Sequence, residues 1–138
     1  CNLGDTLTFE YDETLYSERI DRDSVITGDK DLILQNSNKI ELTEHLFDKD
    51  ALIFSNVKSN YVILNEKKAG KHIRFTFGDS PFLAIWAKPA APFVCIEPWY
   101  GVNDSYEKAT DFSKKRGIQK LSSDEKFEFS WSAEFKED

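Results

Sequence analysis

At 138 residues the chain is long enough for one domain that buries roughly two-thirds of the surface its unfolded form exposes. A hydrophobic content of 40% excludes global disorder, and a net charge of −7 with an isoelectric point near 4.9 argues against a nucleic-acid partner, whose phosphates the chain would repel. No apolar run approaches the ~20 residues of a membrane-spanning helix.

The chain opens on Cys1 with no signal peptide in view, and two readings fit: a lipidated first residue of a mature lipoprotein, or a start partway through a longer protein. After it, alternation with a period of two dominates, the mark of half-buried strands. "LTFEY" (7–11) and "DLILQ" (31–35) are the first strand candidates, separated by turn chemistry at Gly28-Asp29. "LTEHLFD" reads as one helical turn with Thr43 as its N-cap. "ALIF" (51–54) and "YVIL" (61–64) follow, and "HIRFTF" completes a hairpin with the latter across Lys68-Ala69-Gly70. Beyond the Gly78-Asp79-Ser80-Pro81 turn come "FLAIWA" (82–87) and "FVCIE" (93–97). Residues 105–120 are polar and weakly patterned, a long loop with some helix. "KFEFSWSAEF" alternates most cleanly: Phe127, Phe129, Trp131, Ala133 and Phe135 share one face. Many short strands with turn signals predict an all-β sandwich or barrel, with residues 1–138 in a single domain.

Function concentrates in "APFVCIEPWYG" (91–101). A buried carboxylate is costly unless it is hydrogen-bonded, paired or protonated, yet Glu97 stands in an apolar strand just before Pro98, Trp99 and Tyr100. Pro98 lacks an N–H, so ladder pairing is expected to stop near it. Two readings of Glu97 stay open. A carboxylate partly desolvated beside aromatics suits general acid–base work, with Trp99 and Tyr100 stacking on a sugar ring. The alternative is a structural glutamate that bonds backbone N–H groups or a lysine, and Lys88 in "IWAKPAAPF" is placed to pair with it or to hold a substrate hydroxyl. Trp86 reads as a packing residue. His45 and His72 have no second imidazole or carboxylate at metal-ligand spacing and read as surface residues. Cys1 and Cys95 give no disulfide framework and no metal spacing, so Cys95 reads as a reduced core thiol and the cytosol is the expected setting.

"FDKDALIF" (47–54), "VKSNYVIL" (57–64), "IWAKPAAPFVCIEPWYG" (85–101) and "RGIQKLSSDEKFEFSW" (116–131) together resemble the bacterial aldose 1-epimerase, or galactose mutarotase-like, family. The subgroup most resembled is the one associated with lactose operons. The resemblance implies a parent chain roughly double this length, folded as a large antiparallel β-sandwich, of which this is the C-terminal half. It implies an isomerase that interconverts the α and β anomers of an aldose without a cofactor or metal. In the family a glutamate takes the proton of the C1 hydroxyl while a histidine protonates the ring oxygen. Glu97 matches that glutamate. Asp50 best matches an aspartate that contacts sugar hydroxyls, with Asp48 close by, and Lys88 and Trp99 lie in family-like stretches as substrate-binding residues. Ala84, Ala87 and Ala90 stand where the subgroup often has Gly or Ser. The family's histidines precede the region seen here, and His45 and His72 do not match them. The segment alone is therefore expected to show little or no activity. Its unpaired strand edges would invite association with the missing half or with itself. The competing readings are a non-catalytic carbohydrate-binding sandwich and a surface lipoprotein anchored through Cys1.

Overall fold

Two long strands organise the molecule. β1 (Thr6–Ile20) and β2 (Ile26–Glu41) pair antiparallel along nearly their whole length. The computed structural model describes residues 4–67, 70–89, 91–107 and 111–137, so Cys1, Ala90 and most of the Lys68–Gly70 turn lie outside the described residues. Six further strands follow: β3 (Leu52–Ser55), β4 (Tyr61–Asn65), β5 (Lys71–Thr76), β6 (Phe82–Trp86), β7 (Cys95–Trp99) and β8 (Ser132–Glu137). Their order across the sheet is β7-β6-β3-β1-β4-β5-β8, with β2 alone on the other edge of β1.

The sheet forks at β1. Thr6–Phe9 pair with β4, whereas Ser17 and Glu18 pair with β3. Two arms, β4-β5-β8 and β3-β6-β7, therefore leave the same edge of one strand. The gap between them is closed by a buried carboxylate: Glu13 Oε1 accepts from Lys58 N (3.0 Å), Ser59 N (2.8 Å) and Ser59 Oγ (2.7 Å). Register shifts on either side of Glu13 bend β1 and let the arms curl towards each other. Leu7, Phe9 and Leu15 of β1 then meet Phe54, Leu83 and Ile85 from one arm and Val62 and Phe77 from the other in a single core. The result is an antiparallel architecture, all-β as the alternation predicts.

Three local expectations are corrected. Residues 44–49 form successive turns rather than a helix, with i→i+3 bonds from Leu46 N to Thr43 O and from Asp50 N to Phe47 O. This path lets Phe47 join the core, and Asp50, at φ 80°, ends it. Second, β1 and β2 run well beyond "LTFEY" and "DLILQ". Third, the last strand covers 132–137 only, because β5 offers partners only from Lys71 to Thr76. The aromatic face of "KFEFSWSAEF" stays exposed: Phe129, Trp131 and Phe135 keep 55%, 56% and 75% of their surface. Tyr100 packs against Phe127 and Phe129 instead, and Trp131 stacks on Phe75. Among the described residues of 105–120 there is one 3₁₀ turn, Phe112–Lys114. Among the described residues no helix is long and apolar enough to cross a membrane.

Candidate active site

β7 lies at the end of its arm and pairs with β6 in the register Ala84↔Glu97, flanked by Trp86↔Cys95 and Phe82↔Trp99. Pairing does not stop at Pro98, which sits opposite Leu83. An edge strand tolerates the missing N–H, because that side needs no ladder partner. Period-two alternation splits β7 in two. Val94 and Ile96 pack on the main core. Cys95, Glu97 and Trp99 occupy the opposite face, where Trp99 joins a satellite cluster with Phe82, Ile26 and Val102.

Glu97 is half-buried, and its Oε2 accepts from Trp99 Nε1 at 3.0 Å. Burial first, then the neighbouring Glu97 carboxylate, push the Cys95 thiol above its ordinary range. Cys95 is thus free but half-buried, at the rim of the core rather than within it. The expected pairing with Lys88 is absent: Lys88 is exposed just beyond β6, and among the described residues no ion pair joins it to Glu97. A neutral donor, not a cation, holds this carboxylate.

The register Leu52↔Ile85↔Ile96 brings the start of β3, the end of β6 and the start of β7 to one end of the arm. Asp50 and Lys88 both flank that end, whereas Trp99 closes the other. Asp50 is exposed, and its Oδ1 accepts from Ala51 N at 2.7 Å. Asp48 is engaged by His45 Nδ1 at 2.8 Å, which favours Asp50 of the two for outside contacts. Trp99, Pro98, Tyr100, Gly101, Asn103, Phe127 and Phe129 wall an open aromatic hollow of about 440 Å³ at the C-terminal end of β7. Glu97 adjoins this hollow in sequence without lining it. Trp86 packs beside Phe93, with ring centroids 6.0 Å apart. His72 is half-buried on β5, five places from β7 in the strand order.

Sequence reasoning missed one charged pair on this sheet. The row Glu97–Ala84–Ile53–Glu18 crosses four neighbouring strands, so Glu18 shares the face of Glu97. Glu18 is 3% exposed and accepts both Arg116 guanidinium bonds, Nη1 to Oε1 at 3.0 Å and Nη2 to Oε2 at 2.7 Å. Arg116 also lies over the Phe82 ring, 5.2 Å from its centroid. The pair borders a cavity of about 520 Å³ between β1, β2 and the 102–116 segment. Nothing in "YSERI" signals an inward glutamate, since Ser17 beside it also points inward.

These features define an all-β protein built on a curled antiparallel sheet, with a half-buried carboxylate on one face. No family model matches the sequence. The chain is 33% identical over 94 residues to the plasmid and chromosomal LacX proteins of Lactococcus lactis subsp. lactis, which covers 67% of this chain and 31% of each relative. It is similar over 99% of its length to a galactose mutarotase related enzyme from Lactobacillus acidophilus, with a TM-score of 0.84 and 27% identity, covering 46% of that chain. A galactose mutarotase-like protein from Lactobacillus casei gives the same TM-score at 26% identity, covering 97% of this chain and 47% of the other. These relatives and solved structures support a galactose mutarotase-like family for the chain. It spans just under half of these solved chains and under a third of the curated relatives.

Proposed function

We propose that this chain is the C-terminal part of an aldose 1-epimerase that interconverts the α and β anomers of an aldose, with Glu97 as the general base. The observation that carries this reading is the Glu97 carboxylate itself, half-buried on the sheet face and held by an indole N–H rather than by a cation. In the reaction Glu97 takes the C1 hydroxyl proton while an acid delivers a proton to the ring oxygen. The C1–O5 bond breaks to give the open aldehyde, the C1–C2 bond rotates, and closure from the other side returns both protons. Asp50 and Lys88 hold sugar hydroxyls from the opposite end of the arm, and Trp99 bounds the sugar near its ring.

The acid is a histidine from outside these 138 residues. His45 is occupied by Asp48 in a surface turn, and His72 stands on the far arm. This segment alone is inactive by that reasoning, and the whole protein acts on cytoplasmic aldoses. Polarimetry of freshly dissolved α-glucose and α-galactose with the whole protein tests the proposal. Glu97→Gln should lower kcat by about 10²–10⁴-fold, the range of one general acid–base group. Wild-type rates in that variant, or spontaneous rates in the wild type with several aldoses and their phosphates, would refute it. The position of both histidines favours one competing reading, a carbohydrate-binding sandwich without turnover. That protein would quench or enhance tryptophan fluorescence on sugar titration and show no anomerisation.

A further inference from the structure

We propose that Trp99 is a positioning residue for Glu97, gripping its carboxylate from two places further along the same strand face. The inference rests on the reading of Glu97 as the base. A glutamate side chain has three rotatable bonds, and on a bare edge strand its carboxylate would sample many orientations. Here the indole N–H donates to Oε2 at 3.0 Å. The grip is itself anchored. Trp99 packs with Phe82, Ile26 and Val102 and stands opposite Phe82 in the β6–β7 ladder. The period of a strand places residue i+2 beside residue i, so β7 supplies the support from its own sequence, E-x-W.

The choice of donor fits a base. A lysine or arginine would fix the carboxylate equally well but would stabilise its charge strongly and weaken it as a proton acceptor. An indole is a neutral donor that restricts orientation without forming an ion pair. A carboxylate has about four acceptor positions, so one donor leaves ample room for a sugar hydroxyl. This role differs from ring stacking: Trp99 acts on catalysis through Glu97.

The chain has three tryptophans, so its indole N–H signals can be followed individually in a ¹⁵N correlation spectrum. Glu97→Gln should move the Trp99 indole signal furthest. In the whole protein Trp99→Phe should lower kcat about tenfold with KM within about twofold. An unmoved indole signal in Glu97→Gln overturns the grip. So does a wild-type kcat in Trp99→Phe, or an effect confined to KM, which would mark a stacking residue. Wild-type turnover in Glu97→Gln instead sinks the base assignment, whereas an inactive Glu97→Gln beside a fully active Trp99→Phe sinks the positioning role alone.

Discussion

Replacing Glu13 by alanine should be among the most damaging single changes to the fold, although it lies in no catalytic stretch. Its side chain is 1% exposed, and one oxygen takes bonds from Lys58 N, Ser59 N and Ser59 Oγ. Ser59 is 3% exposed, so water has little access to the donors that alanine would abandon. Two backbone N–H groups lose their partner at about 1–3 kcal/mol each. The Ser59 hydroxyl oxygen still accepts from Tyr11 N at 3.2 Å, so its loss is smaller. The expected destabilisation is about 3–5 kcal/mol. With a urea slope of about 1–3 kcal/mol per molar, the unfolding midpoint should fall by roughly 1–3 M. Glu10→Ala is the control, since Glu10 bonds Asn60 N and Nδ2 at an exposed site where water can replace it. A Glu13→Ala midpoint no lower than that of Glu10→Ala would mean that the carboxylate does not hold the fork.

Arg116→Ala leaves Glu18 buried without its guanidinium and should destabilise by about 2–4 kcal/mol, less than a fully buried pair because Arg116 is half exposed; a chemical-denaturation midpoint within error of wild type would contradict this. Gly117→Ala should lower the melting temperature by several degrees, because φ is +77° and a Cβ would lie 2.7 Å from Tyr100 O and 2.9 Å from Gly101 Cα; an unchanged thermal transition would show that the segment shifts freely. Arg19 bonds, with Lys49 assisting, hold the Asp31 carboxyl at about 2 against an ordinary 3.8. That lowered value contributes stability above the unfolded pKa, lost as pH falls through the folded one. Asp31→Asn should therefore flatten the dependence of the urea midpoint on pH between about 4 and about 2; an identical slope in the variant would refute the assignment.

Strands with apolar residues on alternate positions were legible in the sequence, as Leu7 and Phe9 or Leu83 and Ile85 illustrate. The second half of β1 was not, because Leu15 is flanked there by the inward Glu13 and Ser17, whose burial depends on donors 36 to 46 residues away. The reverse error occurred at 126–131. There Phe127, Phe129 and Trp131 alternate as a buried strand would, but no neighbouring strand offers them a ladder. Glu97 stood out because a carboxylate in an apolar strand is rare, and its partner Trp99 at i+2 follows from strand period. The Lys88 pairing failed for a related reason: the 87–94 turn carries that lysine beyond the end of β6 and out to solvent.

The fork at β1 has a consequence for hydrogen exchange. Among the described residues no ladder joins the two arms directly, and the amides of Leu7, Thr8 and Ser17 lie where the sheet on one side meets β2 and on the other meets an arm. Opening any one of those amides unzips two ladders together. Their protection should therefore report complete unfolding, while β7 and β8, each paired along a single flank, exchange through local fraying and leave the branch point intact.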